Sequence, residues 1–377
     1  MRVLIAPDSF KDCLTAPQVI HAISRGLLKV QPETQIIGKP VSDGGEGLLQ
    51  TLIENLEGRY VESMVNDPLM RPVLAKLGIL DQQATAVIEM AQASGIELLS
   101  QQERNPMLTT TYGTGQLISK ALDEGFRKLI IGIGGSATND GGVGMAQALG
   151  VKLLDDSAQP IAAGGAGLSQ LRSIDVETLD PRILDCQIQV ACDVKNPLTG
   201  DSGASAVYGP QKGATKQMVE TLDHNLDHLA SMILKFLGKD IRDVPGAGAA
   251  GGLGAGLVAF LDARLMSGFD IVASMLDLED SVAKVDLVIT AEGRIDQQTK
   301  FGKAPYGVAM IAKKYQKPVY AFAGQIGGTK EELIQLGFTD VISISDSTIT
   351  VEESMRRASE LLEASVARAF QNFLKLG

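Results

Sequence analysis

Short apolar segments alternate with amphipathic segments at both ends of this 377-residue chain. RVLIAP reads as a buried strand near the start, and TAPQVIHAISRGLLKV follows as a helix that begins with a threonine cap. DLVITAEG, PVYAFAG and DVISISD repeat the strand pattern near the end, separated by short helices and followed by one long helix over 351–376. This alternation predicts parallel strands with helices on both faces of a sheet.

Neither end of the chain has enough strands for a doubly wound sheet, but the two ends together supply about five. We therefore predict a two-domain α/β protein with a doubly wound, Rossmann-like domain formed from residues 1–66 and 285–377. Residues 67–284 are expected to form an inserted α/β domain with a mixed sheet that carries a glycine-rich phosphate loop, and the active site is expected in the cleft between the domains. The alternative is two consecutive domains divided near residue 200.

Composition limits the classes of function. A net charge of −11 argues against nucleic acid and anionic membranes as partners, and we expect neither. The 41 glycines and 4% aromatic residues favour an enzyme that binds small polar ligands through loops. Three cysteines without a CxxC pair argue against a disulfide framework or a zinc site. With no signal peptide and no apolar run of roughly 20 residues, the sequence predicts a cytoplasmic protein.

Polar side chains follow each strand of the two terminal segments. Because ligands of open α/β sheets bind at the carboxyl ends of the strands, such residues predict a site. The alternative is that each carboxylate only caps the next helix, which we expect for the last one. These residues are Asp8, Ser9, Asp43 in the turn DGGEG, Arg294, Asp296 and Asp346.

The segment GIGGSATNDGG at 132–142 follows the apolar run KLII and contains five glycines. Gly132, Gly134 and Ala137 match the GxGxxA fingerprint of dinucleotide-binding proteins, which leaves an NAD(P)-dependent oxidoreductase as an alternative. That fingerprint runs straight into a helix, whereas five further residues intervene here. We therefore predict an anion cradle of backbone N–H groups, hydroxyls and a helix N-terminus. A tight packing turn is the other interpretation.

Three further segments contain glycine or charged residues at turns. ACDVKNPLTG at 191–200 ends a strand with Asp193 and Lys195, which offer a base or metal ligand and a positive charge for phosphate. GPQKGA at 209–214 is another turn with a lysine. Either turn is equally well explained as a solvated loop. PGAGAAGGLGAG at 245–256 favours close packing of backbone on backbone.

Taken together, these segments resemble the type I glycerate kinases, bacterial enzymes that phosphorylate glycerate. The small departures from the family pattern are Cys13, Ser42 and Ala291, where the family often has Ser, Ala and Gly. The resemblance rests on seven segments that occur in order along nearly the whole chain: APDSFKDCLTA, PVSDGGEG, IGGSATNDGGVGMAQALG, ACDVKNPLTG, YGPQKGAT, PGAGAAGGLGAG and ITAEGRIDQQTKFGKAPYGVA.

The resemblance implies transfer of the γ-phosphoryl group of ATP, with Mg²⁺ as cofactor, to D-glycerate. The expected products are 2-phosphoglycerate and ADP, in glyoxylate, glucarate or galactarate breakdown. A glycerate 3-kinase that makes 3-phosphoglycerate is the alternative regiochemistry. We expect D-glycerate and ATP as the partners of a monomer or homodimer.

Roles for individual residues follow from this likeness and from the needs of phosphoryl transfer. Asp193 is the first candidate for the general base or Mg²⁺ ligand, Asp43 competes for both roles, and Asp296 competes for the catalytic one. Lys11 is expected to neutralise charge during catalysis. The expected substrate-binding residues are Asp8, Ser9, Lys195, Arg294 and Lys303. The expected ATP-binding residues are Gly134, Gly135, Ser136, Ala137, Thr138, Asn139 and Asp140.

Overall fold

The computed structural model describes residues 1–43, 47–300, 302–345 and 349–376. Asp346 and the middle of the predicted DGGEG turn, residues 44–46, lie outside the described residues. The chain divides into two compact units. The terminal unit consists of Met1–Asp43 and Phe269–Gly377, and the inserted unit consists of Gly44–Gly268.

The elements in chain order are as follows. The strands are β1 (Arg2–Ile5), β2 (Gln35–Gly38), β3 (Arg59–Asn66), β4 (Pro72–Leu80), β5 (Thr85–Glu89), β6 (Lys128–Gly132), β7 (Lys152–Leu154), β8 (Ser173–Asp175), β9 (Gln187–Ala191), β10 (Arg264–Met266), β11 (Leu287–Ile295), β12 (Val319–Ile326) and β13 (Asp340–Ser343). The α-helices are α1 (Ala16–Val30), α2 (Leu48–Asn55), α3 (Ala91–Ser94), α4 (Tyr112–Asp123), α5 (Val143–Ala148), α6 (Ala204–Tyr208), α7 (Lys216–Leu237), α8 (Ala249–Leu261), α9 (Gly268–Met275), α10 (Leu278–Ala283), α11 (Ala304–Lys314), α12 (Lys330–Ile334), α13 (Val351–Arg356) and α14 (Ala358–Leu376). Short 3₁₀ turns cover Asp81–Gln83, Ile96–Leu98, Gln101–Glu103, Gly167–Gln170, Pro181–Asp185, Pro210–Lys212 and Gln297–Lys300.

The two division points differ from the breaks that the sequence predicts at 66/67 and 284/285. Strand β3 pairs along its whole length with β4, and α2 packs on β4 and β5, so both elements belong to the inserted unit. Helices α9 and α10 precede β11 and belong to the terminal unit. The boundaries therefore follow tertiary pairing, which the local pattern of β3 does not reveal.

The terminal unit contains a five-stranded, all-parallel sheet in the order β13-β12-β11-β1-β2. Numbered within the unit, the order is 2-1-3-4-5, one of the two common doubly wound arrangements. The predicted doubly wound α/β architecture is confirmed. Because the strand order reverses between β1 and β11, the segments that follow these two strands lie at the switch point where such sheets bind ligands. The N–H of Asp8 donates to Ala291 O at 2.9 Å there.

Helix α1 shows how the terminal unit is held together. Thr15 and Gln18 form a reciprocal capping box at its start, which matches the predicted threonine cap. Its apolar face, with Ile23 and Leu27 fully buried, packs against the sheet and α14. Each such side chain contributes about 1.5–3 kcal/mol of burial free energy. The predicted single C-terminal helix is two helices, because Arg357 leaves the helical conformation between α13 and α14.

The inserted unit contains a six-stranded mixed sheet in the order β10-β9-β6-β5-β4-β3. Strands β3, β4 and β5 are antiparallel neighbours, whereas β5, β6, β9 and β10 run parallel. Glu89, Gly132, Ala191 and Met266 are register partners in turn across the parallel strands. The segments that follow these four residues therefore leave the sheet along one edge. None of the described helices combines the length and apolarity that a bilayer span requires.

Candidate active site

The glycine-rich segment begins at the carboxyl edge of the inserted sheet. Gly134 and Gly135 are exposed, whereas the residues from Ser136 to Asp140 are buried. The N–H of Ile96 donates to Gly135 O at 2.8 Å, which ties the loop to the segment after β5. The two glycines form the part of the predicted cradle that a ligand can reach, together with Ser136, which is 8% exposed and lines the same cavity as these glycines.

Asp140 joins the loop to neighbouring segments, and its predicted contact with ATP stays a prediction. Its carboxylate is fully buried and accepts hydrogen bonds from the N–H groups of Thr111 (2.8 Å), Gly142 (3.1 Å) and Gly144 (3.3 Å), and from the hydroxyls of Thr111 (2.9 Å) and Thr110 (3.2 Å). Burial raises the pKa of Asp140, and these hydrogen bonds oppose that rise. Asp140 therefore accepts hydrogen bonds from amides at the start of α5, the helix N-terminus that the sequence predicts as part of the cradle.

The middle of the loop also faces inward, and the predicted ATP contacts of Ala137, Thr138 and Asn139 stay predictions. The backbone of Ala137 donates to Ser94 O (2.9 Å) and accepts from Thr109 Oγ1 (2.8 Å). Thr138 and Asn139 are fully buried. Composition marks the segment as a loop, but it does not tell which half faces solvent.

Lys212, in the GPQKGA turn, lies at this site, although the sequence pattern is equally well explained by a solvated loop. Its side chain is only 1% exposed, and Nζ donates to Ser136 Oγ at 2.6 Å and to Thr138 O at 2.7 Å. Burial lowers the pKa of Lys212 to about 7, and the negative charge of Asp140 partly offsets this effect. Lys212 therefore fixes the reachable end of the loop to its buried middle.

A cavity of about 560 Å³, which we call the Asp193 cavity, opens beside Gly134 and Gly135. Asp193 follows β9, is exposed, and accepts from Gly268 N at 3.1 Å. Arg104 also lines this cavity, and its buried Nε has no hydrogen-bond partner within the described part of the chain. No sequence motif marks Arg104. The exposed Lys195 lies on the same loop as Asp193 but does not line the cavity.

A second cavity, of about 470 Å³, adjoins the same two glycines, and we call it the Leu74 cavity. Leu74, Ile96 and Leu98 give it apolar walls, and Glu89 and Glu97 add carboxylates. Oε1 of Glu89 accepts from Leu49 N at 3.1 Å, so Glu89 caps α2. The sequence singles out none of these residues.

In the terminal unit, a cavity of about 460 Å³ brings together four predicted residues: Ser9, Lys11, Arg294 and Lys303. We call it the Lys11 cavity. Lys303 donates to Glu292 Oε1 at 2.6 Å, while Glu292 Oε2 is buried without a partner among the described residues. Burial raises the pKa of Glu292, and Lys303 opposes that rise. Glu292 lies on β11, and the sequence predicts no role for it.

The three predicted carboxylates of the terminal unit differ in their surroundings. Burial raises the pKa of Asp8 to about 7, the N–H of Ser9 opposes this, and the charges of Asp43 and Glu292 add to it. Asp296 accepts from Arg294 Nε at 2.8 Å and does not line the Lys11 cavity. The charge of Asp43 therefore acts on Asp8, whereas Asp296 forms a local ion pair with Arg294.

Within the described ranges, no three His, Cys, Asp or Glu side chains converge as a metal site. Mg²⁺ in phosphoryl-transfer sites needs only one or two carboxylates, since substrate phosphates and water complete its octahedron. An exposed carboxylate next to a reachable glycine backbone fits that ligand set. Asp193 meets this description in the Asp193 cavity, and the exposed Glu97 meets it in the Leu74 cavity.

Comparison with known proteins decides the family. Residues 3–374 match the glycerate kinase family. The chain belongs to this family. A glycerate kinase of Bacillus subtilis strain 168 is 50% identical over 376 residues, which is 100% of this chain and 98% of the relative. The glycerate 2-kinase of Escherichia coli K12 is 48% identical over 379 residues, with 99% and 100% covered.

A solved structure from Salmonella typhimurium LT2, provisionally named glycerate kinase 2, matches this member of the glycerate kinase family with a TM-score of 0.90. Its sequence is 47% identical, and the match covers 100% of this chain and 98% of the other. A likeness over the full length does not favour the NAD(P)-dependent oxidoreductase suggested by the GxGxxA match at 132–137.

Proposed function

We propose that the protein is an ATP-dependent glycerate 2-kinase, which transfers the γ-phosphoryl group of ATP to the C2 hydroxyl of D-glycerate. The observation that carries this proposal is the Asp193 cavity in a chain of the glycerate kinase family. In that cavity an exposed glycine backbone and a carboxylate meet an arginine nitrogen that has no hydrogen-bond partner among the described residues, at the carboxyl edge of the sheet. Phosphoryl transfer needs such positioning and charge neutralisation more than covalent chemistry.

In the inserted unit, the N–H groups of Gly134 and Gly135 and the hydroxyl of Ser136 would bind phosphate oxygens. Lys212 holds Ser136 in place and, when protonated, contributes positive charge. Asp193 would hold Mg²⁺ or accept the proton of the attacking hydroxyl. Mg²⁺, when bound, neutralises phosphate charge and orients the phosphoryl group.

In the terminal unit, the Lys11 cavity suits an anion that also carries hydroxyl groups. Lys11, Arg294 and Lys303 would bind a carboxylate, and Ser9 offers a hydroxyl. Glu292 Oε2, which has no partner in the described part of the chain, accepts hydrogen bonds, and a substrate hydroxyl would supply one. Glycerate has this combination of groups.

Several finer features stay predictions. The name of the E. coli relative favours phosphorylation at C2, and 3-phosphoglycerate is the second candidate product. The substrate-binding role of Asp8 and Lys195, the catalytic roles of Asp43 and Asp296, and Mg²⁺ binding by Asp43 stay predictions. So do a cytoplasmic location, a monomeric or homodimeric state, and a role in glyoxylate or glucarate breakdown.

Replacement of Asp193 tests the catalytic assignment. We expect Asp193→Asn to lower kcat with D-glycerate and Mg·ATP by at least ~10²-fold, the usual loss when general acid–base or charge-neutralising groups are removed. Asp201→Asn is the matched control, because Asp201 is an exposed acidic residue in the loop that follows. Equal turnover of the two variants would remove Asp193 from the mechanism.

A further inference from the structure

We propose that the nucleotide lies across Gly134 and Gly135, with its adenosine in the Leu74 cavity and its phosphates directed into the Asp193 cavity. The inference rests on the proposed function, in which ATP is the phosphoryl donor bound at this loop. It adds the direction in which the nucleotide lies and the residues that hold its base.

The two cavities share the reachable glycines. Gly134, Gly135 and Ile96 line both of them, so a ligand on the glycine backbone contacts one cavity at each end. Volumes of about 470 and 560 Å³ lie within the range of small-molecule sites. A nucleotide longer than either cavity fits this continuous arrangement.

The charges of the two cavities differ in sign and set the direction. The charged side chains among the described residues that line the Leu74 cavity are the carboxylates Glu89 and Glu97, which repel phosphate. The Asp193 cavity has Arg104 and Lys212 beside its single aspartate. A buried guanidinium N–H without an acceptor is costly. A phosphate oxygen would satisfy Arg104 Nε, for which the described ranges of the chain supply no acceptor.

The Leu74 cavity also has the surface that a flat base requires. Leu74 on β4 is 57% exposed, and Ile96 and Leu98 lie on the 3₁₀ turn after β5. Burial of this exposed leucine against a base removes apolar surface from water. The carboxylate of Glu97 accepts hydrogen bonds from ribose hydroxyls or from the exocyclic amine of adenine.

A substitution of Leu74 has a matched control on the neighbouring strand. Met64 of β3 is the register partner of Leu74, is 64% exposed, and does not line the Leu74 cavity. We expect Leu74→Asn to raise KM for ATP about fivefold or more, while KM for D-glycerate and the inhibition constant of inorganic tripolyphosphate, which has no base, stay unchanged. Met64→Asn should change none of the three. Equal effects of the two variants on KM for ATP would overturn the inference.

A substitution of Arg104 should affect ATP and tripolyphosphate alike, in contrast to a substitution of Leu74. Arg104 would contact phosphate and not the base. Arg104→Met should therefore raise KM for ATP and the inhibition constant of tripolyphosphate by a similar factor, about tenfold. Arg172→Met, which removes an exposed arginine paired with Asp156, is the control. A loss confined to ATP, with tripolyphosphate inhibition intact, would contradict the proposed direction.

Photolabelling of the full chain with 8-azido-ATP separates this inference from the proposed function. We expect ATP-protected label at Leu74, Glu97 or Leu98, which line the Leu74 cavity and not the Asp193 cavity. An enzyme that phosphorylates D-glycerate but takes label in the Asp193 cavity or the Lys11 cavity keeps its proposed function and overturns the inference. Label at the expected peptides without turnover supports the inference and overturns the kinase proposal, and no protected label at all contradicts the inference.

Discussion

At the residue scale, Lys212 shows how a turn lysine becomes part of a loop's architecture. Its Nζ connects a reachable hydroxyl, that of Ser136, with the carbonyl of the buried Thr138. A lysine is rarely buried unless its ammonium is hydrogen-bonded. The sequence GPQKGA indicates a turn but contains nothing that reveals this burial.

The low pKa of Lys212 predicts a pH dependence of ATP binding. Lys212 is protonated below about pH 7 and loses its charge above it. We expect KM for ATP to rise between about pH 7.5 and 9, where ATP already carries its full charge, since the neutral amine attracts phosphate less. In Lys212→Met, KM for ATP should be raised about tenfold and be independent of pH in this window. A wild-type KM for ATP that stays flat across it would contradict the role.

Asp8 predicts a pH dependence of stability. Its pKa is about 7 in the folded protein, against an ordinary value of 3.8, so the folded state binds more protons between these values. The free energy of unfolding therefore falls as pH rises through this window. Asp8→Asn lacks this titration. The difference in free energy of unfolding between this variant and wild type should therefore shift by up to about 4 kcal/mol in favour of the variant as the pH rises from about 4 to about 8.

Chemical denaturation of both proteins at the two pH values measures this gain. Asp12→Asn, at an exposed position in the same turn, is the control and should show no such change. A stability difference between Asp8→Asn and wild type that is the same at both pH values would show that Asp8 titrates normally.

At the element scale, the glycine-rich segment 245–256 packs against the glycine-rich segment 132–142. The N–H of Gly141 donates to Gly251 O at 3.0 Å, and a Cβ on Gly252 would lie 2.8 Å from Gly141 Cα. Residues Ala250–Gly252 at the start of α8 adopt left-handed backbone angles that allow this approach. The packing interpretation of the segment 245–256 is confirmed.

Gly251 provides a direct test of that packing. A Cβ at this position would lie 1.9 Å from Thr138 O, the carbonyl that Lys212 binds. We expect Gly251→Ala to lower the free energy of unfolding by about 2–4 kcal/mol, from backbone strain and overpacking together. Gly238 has the same φ of +68° but open space around it, so Gly238→Ala should cost only about 1 kcal/mol. If both variants lost the same free energy of unfolding in denaturation experiments, the close contact between Gly251 and Thr138 would have no effect on stability.

Local signals predict local structure well in this chain. The threonine cap of α1 and the end of β1 before Asp8 and Ser9 are visible as patterns, because capping and strand ends depend on neighbouring residues. Arg294, which the pattern places after a strand, lies within β11 and pairs with Gln325 of β12. The break at Arg357 and the inward turn of the loop are not visible, since tertiary contacts decide them. Arg104 joins the Asp193 cavity from a segment without any motif.

At the scale of the whole molecule, the rhythm of strands and helices predicts that the two termini share a sheet, and β1 indeed pairs with β11. The local pattern does not predict the boundaries between the two units, because the composition of β3 fits either unit. Only the pairing of β3 with β4 shows that β3 belongs to the inserted unit. Residues of the candidate site likewise come from turns far apart in sequence. Family resemblance, and not any single motif, connects them to phosphoryl transfer.

The central claim is that this chain phosphorylates D-glycerate at C2. The most direct measurement is a reaction of the purified protein with D-glycerate and Mg·ATP, with the product identified by ³¹P–¹H correlation NMR. We predict a phosphorus resonance coupled to the C2 methine proton. Coupling to the C3 methylene protons would contradict the regiochemistry, and the absence of any phosphorylated product from either D- or L-glycerate would contradict the function itself.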